Sequence, residues 1–101
     1  MPTSRMKRKS VLLEAESLVH GDRNKAYGPP TTDFSCTMDM FRAYVKRKYK
    51  IDISFDPTDF SAIMIMAKIS RQAHKPKRDS NIDIAGYAEC WQWIQDDKQT
   101  H

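Results

Sequence analysis

The stretch KRDSNIDIAGYAECW, residues 77–91, combines the pattern of a buried helix with carboxylates where apolar side chains are expected. Tyr87 and Cys90 recur at helical spacing, and Asp79 and Asp83 continue the same stripe toward the N-terminus. An unpaired charge on a buried stripe would cost several kcal/mol. The two aspartates must therefore pair with cations, bind a metal ion or line a wet pocket.

The rest of the chain predicts three more helices joined by short connections. The sharpest helix start is Asp56-Pro57-Thr58-Asp59, where Asp56 caps the helix, proline takes the first helical position and Asp59 completes a capping box. We therefore predict an all-α protein, a compact bundle of about four helices. The predicted helices span residues 10–20, 32–49, 57–74 and 80–95, with an extended connection at 51–55.

Several other features complete the predicted architecture. The third helix is apolar almost all round between Ile63 and Ala67, which predicts that it is the most buried of the four. Residues 21–30 contain two glycines and a proline pair and predict a loop. We predict a single helical domain at 10–95, between a flexible basic tail at 1–9 and a loose polar tail at 96–101.

The composition is that of a folded protein of one domain. The 101 residues are 40% apolar and 30% charged, with a formal net charge of +4. That charge is compatible with nucleotides, nucleic acid or acidic proteins as partners, and equally with an ordinary solvated basic face. Cys36 and Cys90 belong to no metal-binding pair, which predicts buried free thiols in a reducing cytosol. No apolar run approaches a membrane span, so we predict a cytoplasmic protein.

Charged residues on or beside the inward stripes are the candidate site. They are Glu16 in the first helix, Lys68 and Arg71 in the third, and Asp79 and Asp83 in the fourth. One interpretation is structural: Asp79 caps the last helix, and Asp83 pairs with Lys68 or Arg71. Such a pair would clamp the third helix to the fourth without any chemistry.

The second interpretation uses the same residues for chemistry. Asp79 and Asp83 lie four positions apart on one helical face, and with Glu16 from across the bundle they predict a Mg²⁺ site. Asp83 and Glu16 would be the catalytic carboxylates, with a metal-held water attacking a phosphoanhydride. The predicted phosphate-binding and nucleotide-binding residues are Arg23, Tyr27, Lys68 and Arg71.

Three motifs carry a resemblance to a known family: HGDRNKAYG (20–28), DFSAIMIMAKISR (59–71) and KRDSNIDIAGYA (77–88). Together they resemble a family of small helical proteins of unknown function encoded by tailed phages and prophages. The resemblance extends from about Glu14 to Trp91. It implies a phage origin, and hence the cytoplasm of a host cell, and a helical fold.

More distantly, the chain resembles the all-α nucleotide pyrophosphohydrolases, the MazG-like and dimeric dUTPase group. That resemblance implies Mg²⁺, cleavage of nucleoside triphosphates to monophosphate and pyrophosphate, and an oligomer. The family's second metal-binding motif is ExxD, and Asp83 matches its final aspartate, whereas Ser80 stands where that motif has glutamate. The first motif, ExxE, is replaced by Glu14 and Glu16, which are only two positions apart.

An alternative function needs no catalysis. The chain would then be a phage accessory protein that binds a host protein or nucleic acid through the basic end of the second helix. The candidate residues, interleaved with Tyr44 and Tyr49, are Arg42, Lys46, Arg47, Lys48 and Lys50. A self-assembling module, as a homodimer or higher oligomer, is the third hypothesis. The sequence leaves the nucleotide, the host partner and the subunit number open.

Overall fold

The computed structural model describes residues 9–99, and these residues contain helices but no strand. Four long helices and one short helix follow one another along the chain. We number them α1 (Val11–His20), α2 (Asp22–Tyr27), α3 (Pro30–Tyr49), α4 (Pro57–His74) and α5 (Arg78–Gln99). The predicted all-α class and the four predicted helices are therefore confirmed.

The start of α4 forms the predicted capping box. The Asp56 carboxylate accepts a hydrogen bond from the Thr58 amide at 2.9 Å, and the Asp59 carboxylate accepts one from the Asp56 amide at 2.8 Å. By contrast, α3 begins earlier than predicted, at Pro30, with Pro29 in the capping position. A proline at the first turn loses no helical hydrogen bond, so the proline pair opens this helix instead of preceding it.

Two segments predicted to be irregular are helical. Residues 22–27, predicted as part of a loop, form α2. The last helix continues to Gln99, so the predicted loose tail is wrong for residues 96–99; residues 1–8 and 100–101 lie outside the described part of the chain. The C-terminal turns are held by their polar side chains, because Thr31 donates to Asp97 at 2.5 Å and Lys98 pairs with Asp56.

The core lies where α5 meets the other helices. Val19, Phe34, Cys90 and Ile94 form one buried cluster, so α1, α3 and α5 all contribute to it. A Cβ added at Gly86 would lie 3.4 Å from Cγ2 of Val19, an ordinary van der Waals distance, so α1 packs close to α5 here and still leaves room for an alanine.

The helix α4 is not the most buried one, contrary to prediction. Among its residues only Ser61 is buried, whereas Ile63, Met66 and Ile69 are 39%, 61% and 55% exposed. The reason is geometric: α4 packs against α3 and α5 on one side only, and within residues 9–99 nothing covers its other side. Whether a second copy covers that side stays a prediction, and sedimentation would test it.

The described helices also bear on the membrane prediction. Between residues 9 and 99, none of them is both long enough and apolar enough to cross a bilayer. The connection at 51–55 contains neither helix nor strand, in agreement with the predicted break between the second and third long helices.

Candidate functional site

An ion pair joins α4 to α5 at the predicted position. The ammonium of Lys68 lies 2.8 Å from Oδ2 of Asp83. The Lys68 side chain is 15% exposed and that of Asp83 is 38% exposed, so the pair is partly withdrawn from water. The clamp between these helices is therefore confirmed, and it answers why a carboxylate stands between two isoleucines.

A second cation, Arg23 on α2, lies close to three aromatic rings. Its guanidinium carbon is 5.0 Å from the ring centre of Phe34, 5.3 Å from that of Tyr27 and 5.7 Å from that of Tyr87. Its Nη2 also donates a hydrogen bond of 3.1 Å to Asp33 of α3. The ring faces attract the cation and the carboxylate fixes its orientation, so Arg23 is held in one geometry.

Tyr87 on α5 connects the two cations. Burial has the largest influence on the pKa of the Tyr87 hydroxyl and raises it. Among the nearby charges, Arg23 lowers this pKa, Asp83 raises it and Lys68 lowers it. These electrostatic influences act over short range in a partly buried site. The predicted residues Arg23 and Asp83 line one cleft with Tyr87, and Lys68 of α4 is joined to them by its ion pair with Asp83.

The two cysteines have different surroundings. Cys90 is buried beside the site, as predicted, and burial raises the pKa of its thiol, while the charge of Arg23 and a hydrogen bond from it act in the opposite direction. Cys36 is exposed, so the prediction of a buried thiol is wrong there. Its position on α3 faces away from the buried side marked by Phe34 and Met38.

A small cleft of about 70 Å³ opens beside this polar cluster. Its apolar wall is formed by α1 and α5, with Gly86 and the side chains of Ala15, Leu18, Val19 and Ile82. Arg23, Asp83 and Tyr87 provide its polar groups, with the thiol of Cys90. Apolar walls with a few convergent polar groups are typical of small-molecule sites, whose volumes are roughly 300–1,000 Å³, so this cleft has room for only part of such a ligand.

Three other predicted residues lie near or beside the cluster without joining it. Arg71 and Asp79 are both exposed, and neither forms an ion pair with another residue of the segment 9–99. Tyr27 contacts Arg23 through its ring face while 64% of the residue stays exposed. These side chains are therefore accessible to a ligand that reaches beyond the cleft.

The predicted metal site with three carboxylates is not assembled. Within residues 9–99, no group of three or more His, Cys, Asp or Glu side chains is placed to hold a metal ion. Glu16 is exposed on a different groove, beside Ala85 and Glu89, whereas Asp83 points toward Lys68 of α4. The prediction that Glu16 joins Asp79 and Asp83 is therefore wrong, because the two sides of α5 face different helices.

The residue of α1 that reaches the start of α5 is Glu14. Its carboxylate lies 2.6 Å from Nη1 of Arg78, across the packed pair of helices. Asp33 and Tyr87 also belong to the candidate site, although neither was predicted as a site residue from the sequence. Tyr87 follows Asp83 by one helical turn, which is a usable signal, but the pairing of Asp33 with Arg23 depends on how α2 packs on α3 and has no sequence signal.

The basic end of α3 is a separate region, which we define as residues 42–50. Its cations are exposed; Arg42 pairs with Asp52 at 2.7 Å, and Lys46 approaches the same carboxylate at 3.9 Å. Arg23, which lines the cleft, is bonded to Asp33 of α3, and Asp33 and Arg47 lie about 20 Å apart on that helix at the usual rise per residue. A small ligand in the cleft would therefore not touch the basic end.

A model for a domain of unknown function, DUF6378, matches residues 10–95. The chain belongs to this family. No solved structure matches it significantly.

Two curated phage proteins are similar to this DUF6378 chain. The Gene 55 protein of Mycobacterium phage D29 is 38% identical over 89 residues, which cover 87% of this chain and 55% of that protein. The Gene 55 protein of Mycobacterium phage L5 is 32% identical over 87 residues, which cover 85% and 53%. The chain thus spans about half the length of the curated relatives it matches.

These relatives confirm the predicted resemblance to phage proteins of unknown function. The more distant resemblance to nucleotide pyrophosphohydrolases stays a prediction, because neither the family description nor the names of the relatives mention nucleotides.

Proposed function

We propose that the cleft binds a nucleotide, with Mg²⁺, and that the bound triphosphate is hydrolysed to monophosphate and pyrophosphate. The observation that carries the proposal is the placement of Arg23, Asp83 and Tyr87 on one cleft, with Arg23 5.7 Å from the ring centre of Tyr87 and Lys68 paired with Asp83 at 2.8 Å. Two cations held at fixed positions next to an apolar cleft suit a ligand with an apolar part and an anionic part.

Arg23 is the proposed phosphate ligand of α2. A guanidinium binds phosphate through two parallel hydrogen bonds, and the rings around Arg23 hold its plane in place before any ligand arrives. Its partner Asp33 occupies one side of the guanidinium. The exposed ring of Tyr27 packs against the same guanidinium and offers a stacking surface for the base.

Two of the predicted carboxylates fit a Mg²⁺ ion that arrives with a nucleotide. Mg²⁺ usually takes one or two protein carboxylates together with substrate phosphates and water, so Asp83 with Asp79 one turn earlier is a sufficient donor set. Glu16 does not fit, because it lies on another groove. The ion would neutralise phosphate charge, and Asp83 would be the catalytic carboxylate of the proposed hydrolysis.

The Lys68–Asp83 pair makes this proposal specific. In the free protein the ammonium of Lys68 is occupied by Asp83 at 2.8 Å. If Asp83 held a metal ion, Lys68 would become available to a phosphate oxygen. We therefore expect nucleotide and Mg²⁺ to strengthen each other's binding, and such coupling is reciprocal by thermodynamic necessity.

A thermal-shift screen tests the proposal. The common ribo- and deoxyribonucleoside triphosphates are added to the purified protein with and without Mg²⁺, and pyrophosphate release is measured in parallel. A ligand at a hundred times its Kd stabilises the native state by about 2.7 kcal/mol, which raises the melting temperature of a domain of this size by about 10–20 °C. We expect this rise for the wild type and for Arg47→Ala, and its loss in Arg23→Ala.

The controls are matched in chemistry, since Arg23 and Arg47 are both arginines and only Arg23 lines the cleft. The absence of a shift with every nucleotide would refute binding. A shift without pyrophosphate release would refute hydrolysis alone and leave a binding protein.

A further inference from the structure

The basic end of α3 is one of the densest clusters of positive charge in the sequence. Between residues 42 and 52 there are five cations and one carboxylate, Asp52, which gives this segment a net charge of +4. Basic stretches also occur at residues 5–9 and 68–78, with four and five cations, and carboxylates elsewhere bring the whole chain to a formal net charge of +4. Such a cluster attracts polyanions.

The helix end itself does not need all of these cations. Lys50 adopts the left-handed conformation that ends α3, with φ of 62°, and its ammonium donates a hydrogen bond of 2.8 Å to the Arg47 carbonyl. One cation thus satisfies the terminal carbonyl, and the helix dipole is met by the last turn. Arg47 forms no ion pair within residues 9–99, and its charge faces solvent.

Exposed aromatic rings stand among these cations. Tyr44 and Tyr49 are 53% and 58% exposed, and the ammonium of Lys48 lies 5.7 Å and 5.4 Å from their ring centres. Lys48 also donates a hydrogen bond of 3.2 Å to the hydroxyl of Tyr44. The ammonium of Lys48 is therefore close to both rings.

One of these rings has a firm support. Tyr44 lies nearly parallel to Phe41, with an interplanar angle of 14° and 6.4 Å between ring centres, and Phe41 in turn contacts Phe55 at 5.1 Å. The ring of Tyr44 is thus supported by Phe41, while 53% of the residue stays exposed. A fixed, half-open ring surrounded by cations is the arrangement on which unpaired bases stack.

We infer that the basic end of α3 binds single-stranded nucleic acid, with bases stacked on Tyr44 and Tyr49 and phosphates paired with Arg47 and its neighbouring lysines. Duplex DNA would offer the same phosphates but no free base faces. An acidic protein surface would engage the cations but would not require open rings. The stacking geometry, more than the charge, therefore favours an unpaired strand.

Fluorescence anisotropy with a labelled oligothymidylate of about 20 nucleotides tests this inference, without Mg²⁺ and without free nucleotide. The full chain should bind at low salt, and the logarithm of the affinity should fall linearly with the logarithm of the salt concentration. The double variant Tyr44→Leu/Tyr49→Leu keeps every charge and should lose about tenfold or more in affinity. Arg47→Gln should lower the salt slope by about 0.7.

Lys75→Gln is the matched control, because this exposed lysine lies outside the basic end and should leave the slope nearly unchanged. Equal affinity for the strand, for the same sequence as a duplex and for vesicles of anionic lipid would overturn the inference. Unchanged affinity in the tyrosine variant, or the absence of binding at low salt, would overturn it as well. None of these outcomes bears on the cleft, since Arg23 and Lys68 are unaltered throughout.

Discussion

The cleft and the basic end of α3 contain the same kinds of side chain, yet their surroundings differ. At the cleft, Arg23 and Asp83 are partly shielded from water, and each has an ion-pair partner on another helix, Asp33 and Lys68 respectively. At the basic end, Arg42 and Lys46 approach Asp52, the other three cations have no carboxylate partner within residues 9–99, and the rings of Tyr44 and Tyr49 face solvent. Burial thus forces charges into defined pairs, while exposure leaves them available to a large, weakly specified anion.

The two regions should differ most in stability when one aromatic ring is removed from each. Phe34 is fully buried beneath Arg23, so Phe34→Ala should lower the free energy of unfolding by about 3–5 kcal/mol. Tyr44→Ala, which removes a 53% exposed ring, should cost less than about 1 kcal/mol. Urea unfolding monitored by circular dichroism measures both. Similar costs for the two variants would show that the basic end is buried in solution.

Removing one lysine from each region gives the next largest difference. Lys68→Met leaves Asp83 without its partner and should cost about 1–2 kcal/mol, less than the loss of a fully buried pair because Asp83 is 38% exposed. Lys46→Met, at a site 66% exposed, should leave the unfolding midpoint unchanged. Adding Asp83→Asn to Lys68→Met should recover part of the loss, and a purely additive cycle would contradict the pairing.

Gly86→Ala tests whether the two regions bind their ligands independently, because it narrows the cleft and leaves the basic end unchanged. The added methyl group meets only Cγ2 of Val19 within 4 Å outside its own helix, at 3.4 Å, and alanine favours helix over glycine by up to about 1 kcal/mol. We therefore expect a stability change below about 1 kcal/mol. Nucleotide binding should weaken while oligothymidylate binding stays constant, and a parallel loss of both would refute two separate sites.

The smallest predicted effects are those of pH, and the two regions should respond at opposite ends of the scale. A hydrogen bond from Arg42 lowers the pKa of Asp52, so its stabilising contribution is present above its unfolded pKa of about 4 and is lost as the pH falls. Burial raises the pKa of Tyr87, so its contribution is present below about pH 10 and is lost as the pH rises through the folded value.

Urea midpoints measured across the pH range check both contributions. Asp52→Asn should weaken the pH dependence of the urea midpoint only at acid pH, and Tyr87→Phe should weaken it only at alkaline pH. An alkaline dependence that persists unchanged in Tyr87→Phe would contradict the shielded position of that hydroxyl group.

The parts of the fold that local chemistry determines were predictable from the sequence. The capping box at Asp56 and the helical spacing of Tyr87 and Cys90 specify their helices without reference to the rest of the chain. The proline pair at 29–30 was misinterpreted, because prolines both end loops and open helices. Likewise, the polar residues 96–99 are helical because of partners on α3 and α4 that no local pattern reveals.

The candidate site was predictable only where charge had to be compensated. A carboxylate on an apolar stripe requires a partner. The cations nearby in the chain were Lys68 and Arg71, and in the structure Asp83 pairs with Lys68. Glu16 also lies on an apolar stripe, but α1 is short and its stripe meets the alanine-lined side of α5, which leaves the carboxylate in solvent. Which side of a helix meets which neighbour depends on packing of the whole chain.

Calorimetric titration of a nucleoside triphosphate into the wild type and into Asp83→Asn, each with and without Mg²⁺, tests the central claim most directly. That claim is that Asp83 holds Lys68 in the free protein and exchanges it for a metal ion when a nucleotide binds. We expect Mg²⁺ to tighten nucleotide binding to the wild type at least tenfold, about 1.4 kcal/mol, and to have little effect on Asp83→Asn. Equal Mg²⁺ dependence in the two proteins, or no binding to the wild type, would contradict it.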